Sequence, residues 1–421
     1  MPAPEPGRSR ALVLAGQLPA ALGIGIGCSL LLLAVTRIAE SLTTLLWRTL
    51  PDALGVDGQG GWWILLMLTC TGFAVGLVVR YVPGHAGPDP ATEELVAPPM
   101  PVLMVPSLLL ALVLTLAGGV SLGPENPLTA CAVAVACAVG RRVGRGAPQG
   151  WQALGSAGVI GALFGTPVGA ALVLSEAVGG DARTPLWDRV FTPLASATAG
   201  ALTTALTAQP VFSLAAPPLP GLTWAILLGG VLVGLATALL TLVAVALFPY
   251  LYALFQRIGN PVLMLTAGGL ALGLLGVLAG PLSLFKGLEQ MREINANPAE
   301  HSAGDLVLLA AVKALALAVA AAAGFRGGRI FPTLFIGAVA GECAHALVPG
   351  LPLALALSCG VLGAVLVVTR QAWLTLFIAA VTVPDPHVLP VLCVVSLPVW
   401  LLVTDRRPMV IRPARGERTV S

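Results

Sequence analysis

The sequence predicts an all-α, polytopic membrane protein assembled from two related halves, and three observations predict it. Of 421 residues, 57% are hydrophobic and only 10% are charged, with a mean hydropathy of +0.94. Soluble domains carry about a quarter charged residues, so lipid rather than water is this chain's main solvent. A helix needs about 20 apolar residues to cross a bilayer. The stretches 11–36, 62–82, 100–122, 222–248, 261–285 and 304–324 meet that length. Finally, 49 glycines and 35 prolines interrupt the apolar runs, which predicts broken helices. Such breaks survive at membrane depth only where they are buried in protein or line a cavity, and they are common in transporter binding sites.

Taken in order, the chain opens with a short Pro-rich tail, "MPAPEPGRSR" (1–10). The apolar run behind it has no small-residue cleavage site and is read as a retained span. Inside that run, "GIGIGC" (23–28) superficially looks like a nucleotide loop. No strand precedes it, so its small residues are assigned to close helix packing. The first half covers 11–212 and is broken at "LFGTPVGAAL" (163–172). The loop "SLAAPPLPGL" (213–222) leads to the second half, 223–404. There "GGRIFPTL" (327–334) opens a helix and "PDPHVLPVL" (384–392) separates two more. The tail 405–421 carries Arg406, Arg407, Arg412, Arg415 and Arg418 against Asp405 and Glu417. With Arg8 and Arg10 at the other end, the positive-inside rule places both termini in the cytosol, hence an even number of crossings of the plasma (inner) membrane. Arginines beside a span are expected on that ground, and nucleic acid is not an implied partner.

The halves repeat each other. "GVIGA" (158–162) recurs as "GVLGA" (360–364), 202 residues later, and Pro127 has a counterpart in Pro332, 205 residues later.

Most reactive side chains carry no site. Cys28, Cys70, Cys131, Cys137, Cys343, Cys359 and Cys393 lie in apolar segments without paired spacing, so they read as packing residues with neither disulfide nor metal. His85, His301, His345 and His387 are scattered, with no metalloprotease pattern, nucleophile elbow or phosphate loop. An enzyme is therefore not expected, nor a cofactor. Glu342 and His345 share a helix face, but two ligands do not make a metal site. Lys286 and Glu289, at i, i+3 spacing, read as a solvated or pore-mouth segment.

Two short motifs do point to chemistry. In "GPENP" (123–127), proline near a helix start is tolerated because its missing N–H would be unpaired there. Gly123 lets a ligand approach the backbone. The motif therefore reads as an intramembrane helix N-terminus, whose free N–H groups and positive dipole end attract anions. Glu125 is an anion tethered beside that anion site: ionised, it can occupy the site, and protonated, it can leave. A low-dielectric setting disfavours a charged carboxyl and brings protonation within reach. A capping glutamate facing interfacial water is the alternative. In the second half, Gly327 and Gly328 precede Pro332 at another helix start, and Arg326 and Arg329 add potential that favours anions. The alternative there is arginines snorkelling to the interface over glycines that only permit packing.

In combination these motifs resemble the CLC chloride channel and transporter family, in particular its divergent bacterial YfeO-like branch. "GPENP" is similar to the family's Gly-Arg-Glu-Gly-Pro motif and "GGRIFPTL" to its Gly-Gly-x-Phe-x-Pro motif. "GHAGPDPATEEL" (84–95) loosely resembles its Gly-Ser-Gly-Ile-Pro motif. The resemblance implies a CLC-like fold of two inverted repeats and a homodimer with one anion pathway per subunit. It implies Glu125 as the gating glutamate, and the backbone amides of Arg329, Ile330 and Phe331 as the central anion site. Gly123, Gly327 and Gly328 would let the anion approach. Lys313 falls where the family tends to carry a base, and with Arg326 would shape the electrostatics of the pathway.

The departures are informative. The family's serine donor aligns with Gly87 or His85, and its C-terminal tyrosine donor has no equivalent around Met409 and Val410. The second, inner glutamate of proton-coupled members aligns with Ala177. Glu176, the candidate substitute, is one residue away and so rotated by about 100°. The expected function is transport of chloride or a similar small inorganic anion, with protons as a second candidate cargo. The expected mode is a gated channel or uniporter, or a weakly proton-coupled exchanger. A tightly coupled antiporter and a non-transporting scaffold or sensor are the alternatives.

Overall fold

The computed structural model describes residues 10–93, 95, 98–144, 148–177, 185–207 and 213–411. Arg8, Arg412, Arg415, Glu417 and Arg418, which set the charge of the tails, lie outside the described residues. α1 (Arg10–Thr44) leads through a π-helical turn into α2 (Leu50–Leu54). α3 (Gly61–Tyr81), α4 (Val105–Ala117), α5 (Glu125–Val143), α6 (Pro148–Phe164), α7 (Pro167–Ala177) and α8 (Leu186–Thr207) follow. The second half contains α9 (Trp224–Gln256), α10 (Pro261–Ala279), α11 (Leu288–Ala296), α12 (Ala303–Ala322) and α13 (Ile330–Leu347). It closes with α14 (Leu353–Thr369), α15 (Ala372–Thr382) and α16 (Val388–Val403). Among the described residues there is no strand, only one isolated antiparallel bridge between Gly123 and Gly328.

Local chemistry starts several helices where the chain dictates. Thr223 caps α9 by accepting from the Ile226 N–H, and Asn260 caps α10 ahead of Pro261. Ser302 and Asp305 form a reciprocal capping box on α12, which satisfies N–H groups that the helix cannot.

The repeat is visible in the helices themselves. α5, α6 and α7 start at residues 125, 148 and 167, and α13, α14 and α15 start at 330, 353 and 372, each 205 later. Packing repeats too: α5 on α6, α6 on α7, α6 on α8 and α1 on α8 are matched by α13 on α14, α14 on α15, α14 on α16 and α9 on α16. Across the halves, α3 packs on α10 and α7 on α15, each helix against its own counterpart. In lipid, helices associate by close van der Waals contact rather than hydrophobic drive. A Cβ on Gly72 would lie 2.1 Å from the Leu265 carbonyl oxygen, and one on Gly269 would lie 2.2 Å from that of Leu68, so α3 and α10 touch backbone to backbone. A Cβ on Gly25 would sit 2.0 Å from the Ser196 carbonyl oxygen, which gives "GIGIGC" its packing role against α8.

Among the described residues, six helices are long and apolar enough to cross a membrane: Ala11–Leu54, Gly61–Tyr81, Trp224–Gln256, Pro261–Ala279, Ala303–Ala322 and Ile330–Leu347. Two expected boundaries are corrected. The stretch 100–122 is not one span: α4 has 13 residues and ends at Gly118, and Gly119 (φ +86°) turns the chain toward Glu125. The 261–285 stretch is helical only to Ala279, where Gly280 (φ +76°) and Pro281 stop it. Every residue from Ala354 to Val368 on α14 is buried. With α12 and α13, this helix forms the protein-lined centre, as expected of helices apolar on all sides.

Candidate anion site

The site is built where α5 and α13 begin. Gly119 and Gly324, 205 residues apart, turn the chain with the same φ of +86°. The Gly123 N–H donates to the Gly328 carbonyl at 2.8 Å, and the Gly328 N–H donates to the Gly123 carbonyl at 2.6 Å. This two-bond bridge sets the two helix N-termini against each other. Pro127 and Pro332 both occupy the first turn, where a missing N–H costs little.

Glu125, the first residue of α5, reaches across to α13. Its Oε1 accepts the Phe331 N–H at 2.7 Å, and the side chain is fully buried. The N–H groups of Ile330 and of Glu125 itself also bear on the carboxylate. Oε2 is buried with no hydrogen-bond partner among the described residues. A Cβ on Gly328 would lie 1.9 Å from Oε2, and one on Gly123 would lie 2.3 Å from it. The carboxylate thus fills a notch that exists only because both positions are glycine. Gly327 serves differently: a Cβ there would meet that of Leu122 at 2.5 Å, so it permits packing. Electrostatically, a carboxylate on a helix N-terminus is an anion at the positive end of a dipole. The positive charge of Lys286 also acts on it.

On the other side of α13's start lies a cavity of about 470 Å³. Its wall includes Glu93, Asn126, Arg329, Ile330, Arg370, Arg406 and Val410. Three guanidinium groups against one carboxylate make it a cation-lined vestibule. The C-terminal segment closes it: the Ile411 N–H donates to the Ala91 carbonyl at 2.8 Å, and the Arg329 guanidinium donates to the carbonyls of Met409 and Pro90.

The remaining sequence candidates are placed as supports. Arg326 donates through Nε to the Ala86 carbonyl at 2.8 Å, through Nη2 to those of His85 and Gly87, and through Nη1 to that of Gly324 at 3.1 Å. It thereby holds residues 84–87, all at positive φ. His85 is exposed and its ring bonds the Val79 carbonyl at 2.9 Å. Neither His85 nor Gly87 lines the cavity. Lys313 is fully buried and donates to the carbonyls of Ser283, Leu284 and Phe285 at 2.7–2.8 Å. The Phe285 N–H in turn donates to the Gly119 carbonyl at 2.9 Å, so Lys313 buttresses the lead-in to Glu125. Glu176 is exposed, and its Oε1 accepts the Trp373 N–H at 2.8 Å, at the start of α15. Sequence reasoning missed Glu93. Its position inside "GHAGPDPATEEL" was the available signal, but nothing there tells it from Glu94.

Residues 70–401 match the profile of the family described as "Voltage gated chloride channel". The chain is 50% identical over 405 residues to the "Putative ion-transport protein YfeO" of Escherichia fergusonii, covering 96% of each. Its fold is similar to a slow cyanobacterial Cl-/H+ antiporter (TM-score 0.77, 14% identity, 96% of each chain). It is also similar to a CLC-type fluoride/proton antiporter (TM-score 0.70, 19% identity, 93% of this chain and 95% of that one).

Proposed function

Because this chain belongs to the voltage-gated chloride channel family, in its bacterial YfeO-like branch, we propose that it carries small inorganic anions across the membrane through a pathway gated by Glu125. One observation carries the reading: the Glu125 carboxylate occupies the N-terminus of α13, bonded to the Phe331 N–H at 2.7 Å in a notch between two glycines. That is the position a mobile anion would take, since a helix N-terminus offers N–H groups and positive potential to any small anion. An anion gathers in the vestibule beside Arg329, Arg370 and Arg406. When Glu125 is protonated and swings away, the N–H groups of Ile330 and Phe331 replace part of the anion's hydration shell. The Lys286 charge, which acts on Glu125, attracts it as well. With Val410 on the vestibule wall and no tyrosine among its described lining residues, the backbone supplies most of the ligation. The transport mode is gated conduction or weakly proton-coupled exchange. A homodimer in the plasma membrane, with the vestibule opening to the cytosol beside the C-terminal segment, completes this reading.

Efflux from proteoliposomes tests it. Vesicles loaded with potassium chloride and opened with valinomycin should release chloride well above protein-free vesicles. Absence of efflux for chloride, fluoride, nitrate and bromide alike would overturn the proposal.

A further inference from the structure

We propose that Glu93 is the internal proton-loading carboxylate of this pathway, taking protons from the vestibule and passing them toward Glu125. The assignment rests on the gated anion pathway above. Glu93 lies in the connection between α3 and α4, outside the spanning helices, just after the 3-10 turn Pro90–Thr92. Its side chain is half-buried and lines the cavity of about 470 Å³. It makes no side-chain hydrogen bond or ion pair among the described residues, so its carboxylate is free to exchange protons with the cavity. The same cavity is lined by Asn126, the neighbour of Glu125, and by Ile330, whose N–H bears on the Glu125 carboxylate. One continuous space therefore runs from Glu93 to the helix ends that hold the gate. Glu93 is the one acid on that wall among the described residues.

The backbone carrying it is fixed at several points. Pro90 is held by Arg329, and the Ala91 carbonyl by the Ile411 N–H at 2.8 Å. Asp89 Oδ1 accepts the Ala91 N–H at 2.9 Å, and its Oδ2 accepts the Tyr252 hydroxyl at 2.7 Å. A proton site on such a frame keeps its distance to the gate. The charged and titratable groups bearing on it come from three elements. Arg326 and Arg329 lead into α13, Asp89 precedes it in its own connection, and Cys131 lies on α5. Arg370 and Arg406 share the cavity wall. Burial pushes the Glu93 carboxyl up to about 7, the two arginines opposing and Asp89 adding to the rise. Glu93 thus gains and loses its proton near neutral pH, as a loading group must. The step balances: an O–H bond breaks at Glu93, the proton travels through cavity water, and an O–H bond forms at Glu125 with no electron transfer. Glu176 lacks this placement, since it is exposed, bonded to the Trp373 N–H, and absent from the cavity wall.

The experiment compares wild type, Glu93→Gln and Glu93→Asp in proteoliposomes, recording chloride efflux and internal pH together with potential clamped by valinomycin. Wild type should move protons with an inflection near the pH of about 7 set by Glu93. Glu93→Gln should lower proton movement by roughly tenfold or more while chloride efflux persists, and Glu93→Asp should restore proton movement with a shifted inflection. If Glu93→Gln fails to fold, Glu93→Asp and Glu93→His carry the test through their shifted inflections. Proton movement unchanged in Glu93→Gln overturns the assignment and leaves the pathway standing. So does an equal fall in both fluxes, or a wild type that moves chloride without protons. No chloride efflux from wild type overturns the pathway reading itself and the assignment with it.

Discussion

Replacing Glu125 by Gln removes a charge while keeping the shape that fills the notch between Gly123 and Gly328. The ionised carboxylate accepts the Phe331 N–H at 2.7 Å. A hydrogen bond to a charged group contributes about 1.5–3 kcal/mol against about 0.5–1.5 for a neutral one. An anion in a partly buried position at a helix N-terminus gains up to about 2 kcal/mol from the dipole. The charged gate therefore holds the end of α13 more tightly than the amide by roughly 2–3 kcal/mol, and a competing anion must overcome that difference. At about 1.4 kcal/mol per factor of ten, the apparent dissociation constant for chloride should fall about 30- to 140-fold in Glu125→Gln at neutral pH. Titration calorimetry on the detergent-solubilised protein measures it. Wild-type affinity should tighten as the pH is lowered and the gate is protonated, whereas the variant should show no pH slope. Equal affinities with equal pH slopes would refute the idea that Glu125 and the anion compete for one place.

Gly328→Ala puts a methyl 1.9 Å from Glu125 Oε2. The carboxylate is the mobile partner, so the variant should flatten the pH profile of chloride efflux, and an unaltered profile would count against the notch. Lys313→Met takes the Nζ donor from the Ser283, Leu284 and Phe285 carbonyls, of which that of Ser283 keeps the Ser121 hydroxyl at 3.1 Å; at about 1 kcal/mol or more for each carbonyl left unpaired, a fall in melting temperature of several degrees is expected in a detergent thermal scan, and an unchanged value would contradict the buttress role. Glu176→Gln should leave the proton-to-chloride ratio as in wild type, because Glu176 caps α15 rather than facing the cavity; a lost ratio would return the proton role to it. Asp385 accepts the Leu219 N–H at 2.7 Å and the His387 N–H at 2.9 Å. These bonds hold its carboxyl below the ordinary 3.8. A lowered acid stabilises the fold above its ordinary value and loses that contribution as pH falls through the lowered one. Amide exchange at Leu219 should therefore accelerate only in acid below that range, and acceleration at neutral pH in wild type would show that the bond is not formed.

The two motifs, the broken helices and the repeat are legible in the linear sequence because each is a local pattern. Glycine and proline mark the starts of α5 and α13, and the spacing of Pro127 and Pro332 anticipates the 205-residue offset of three helix pairs. The 100–122 stretch misleads because its hydropathy is continuous, while Gly118 and Gly119 end α4 for a geometric reason: the chain must turn into the bridge with Gly328. That bridge joins residues 205 apart, so no local signal announces it. Lys313 and Arg326 show the limit of residue type as a guide. Each is a cation near an anion motif, yet each directs its donors at backbone carbonyls and acts by holding a loop. Glu93 becomes distinguishable only once the 409–411 segment folds against Pro90 and Ala91 and closes the vestibule around it.

The most direct test of the gate is to locate the anion. Crystals of wild type and Glu125→Ala grown in bromide would be compared by anomalous diffraction at the start of α13. Bromide beside the Ile330 and Phe331 N–H groups in Glu125→Ala, with the carboxylate in that place in wild type, is the predicted result. Bromide absent from that position in both, or bound there in wild type with Glu125 still seated between Gly123 and Gly328, would contradict it.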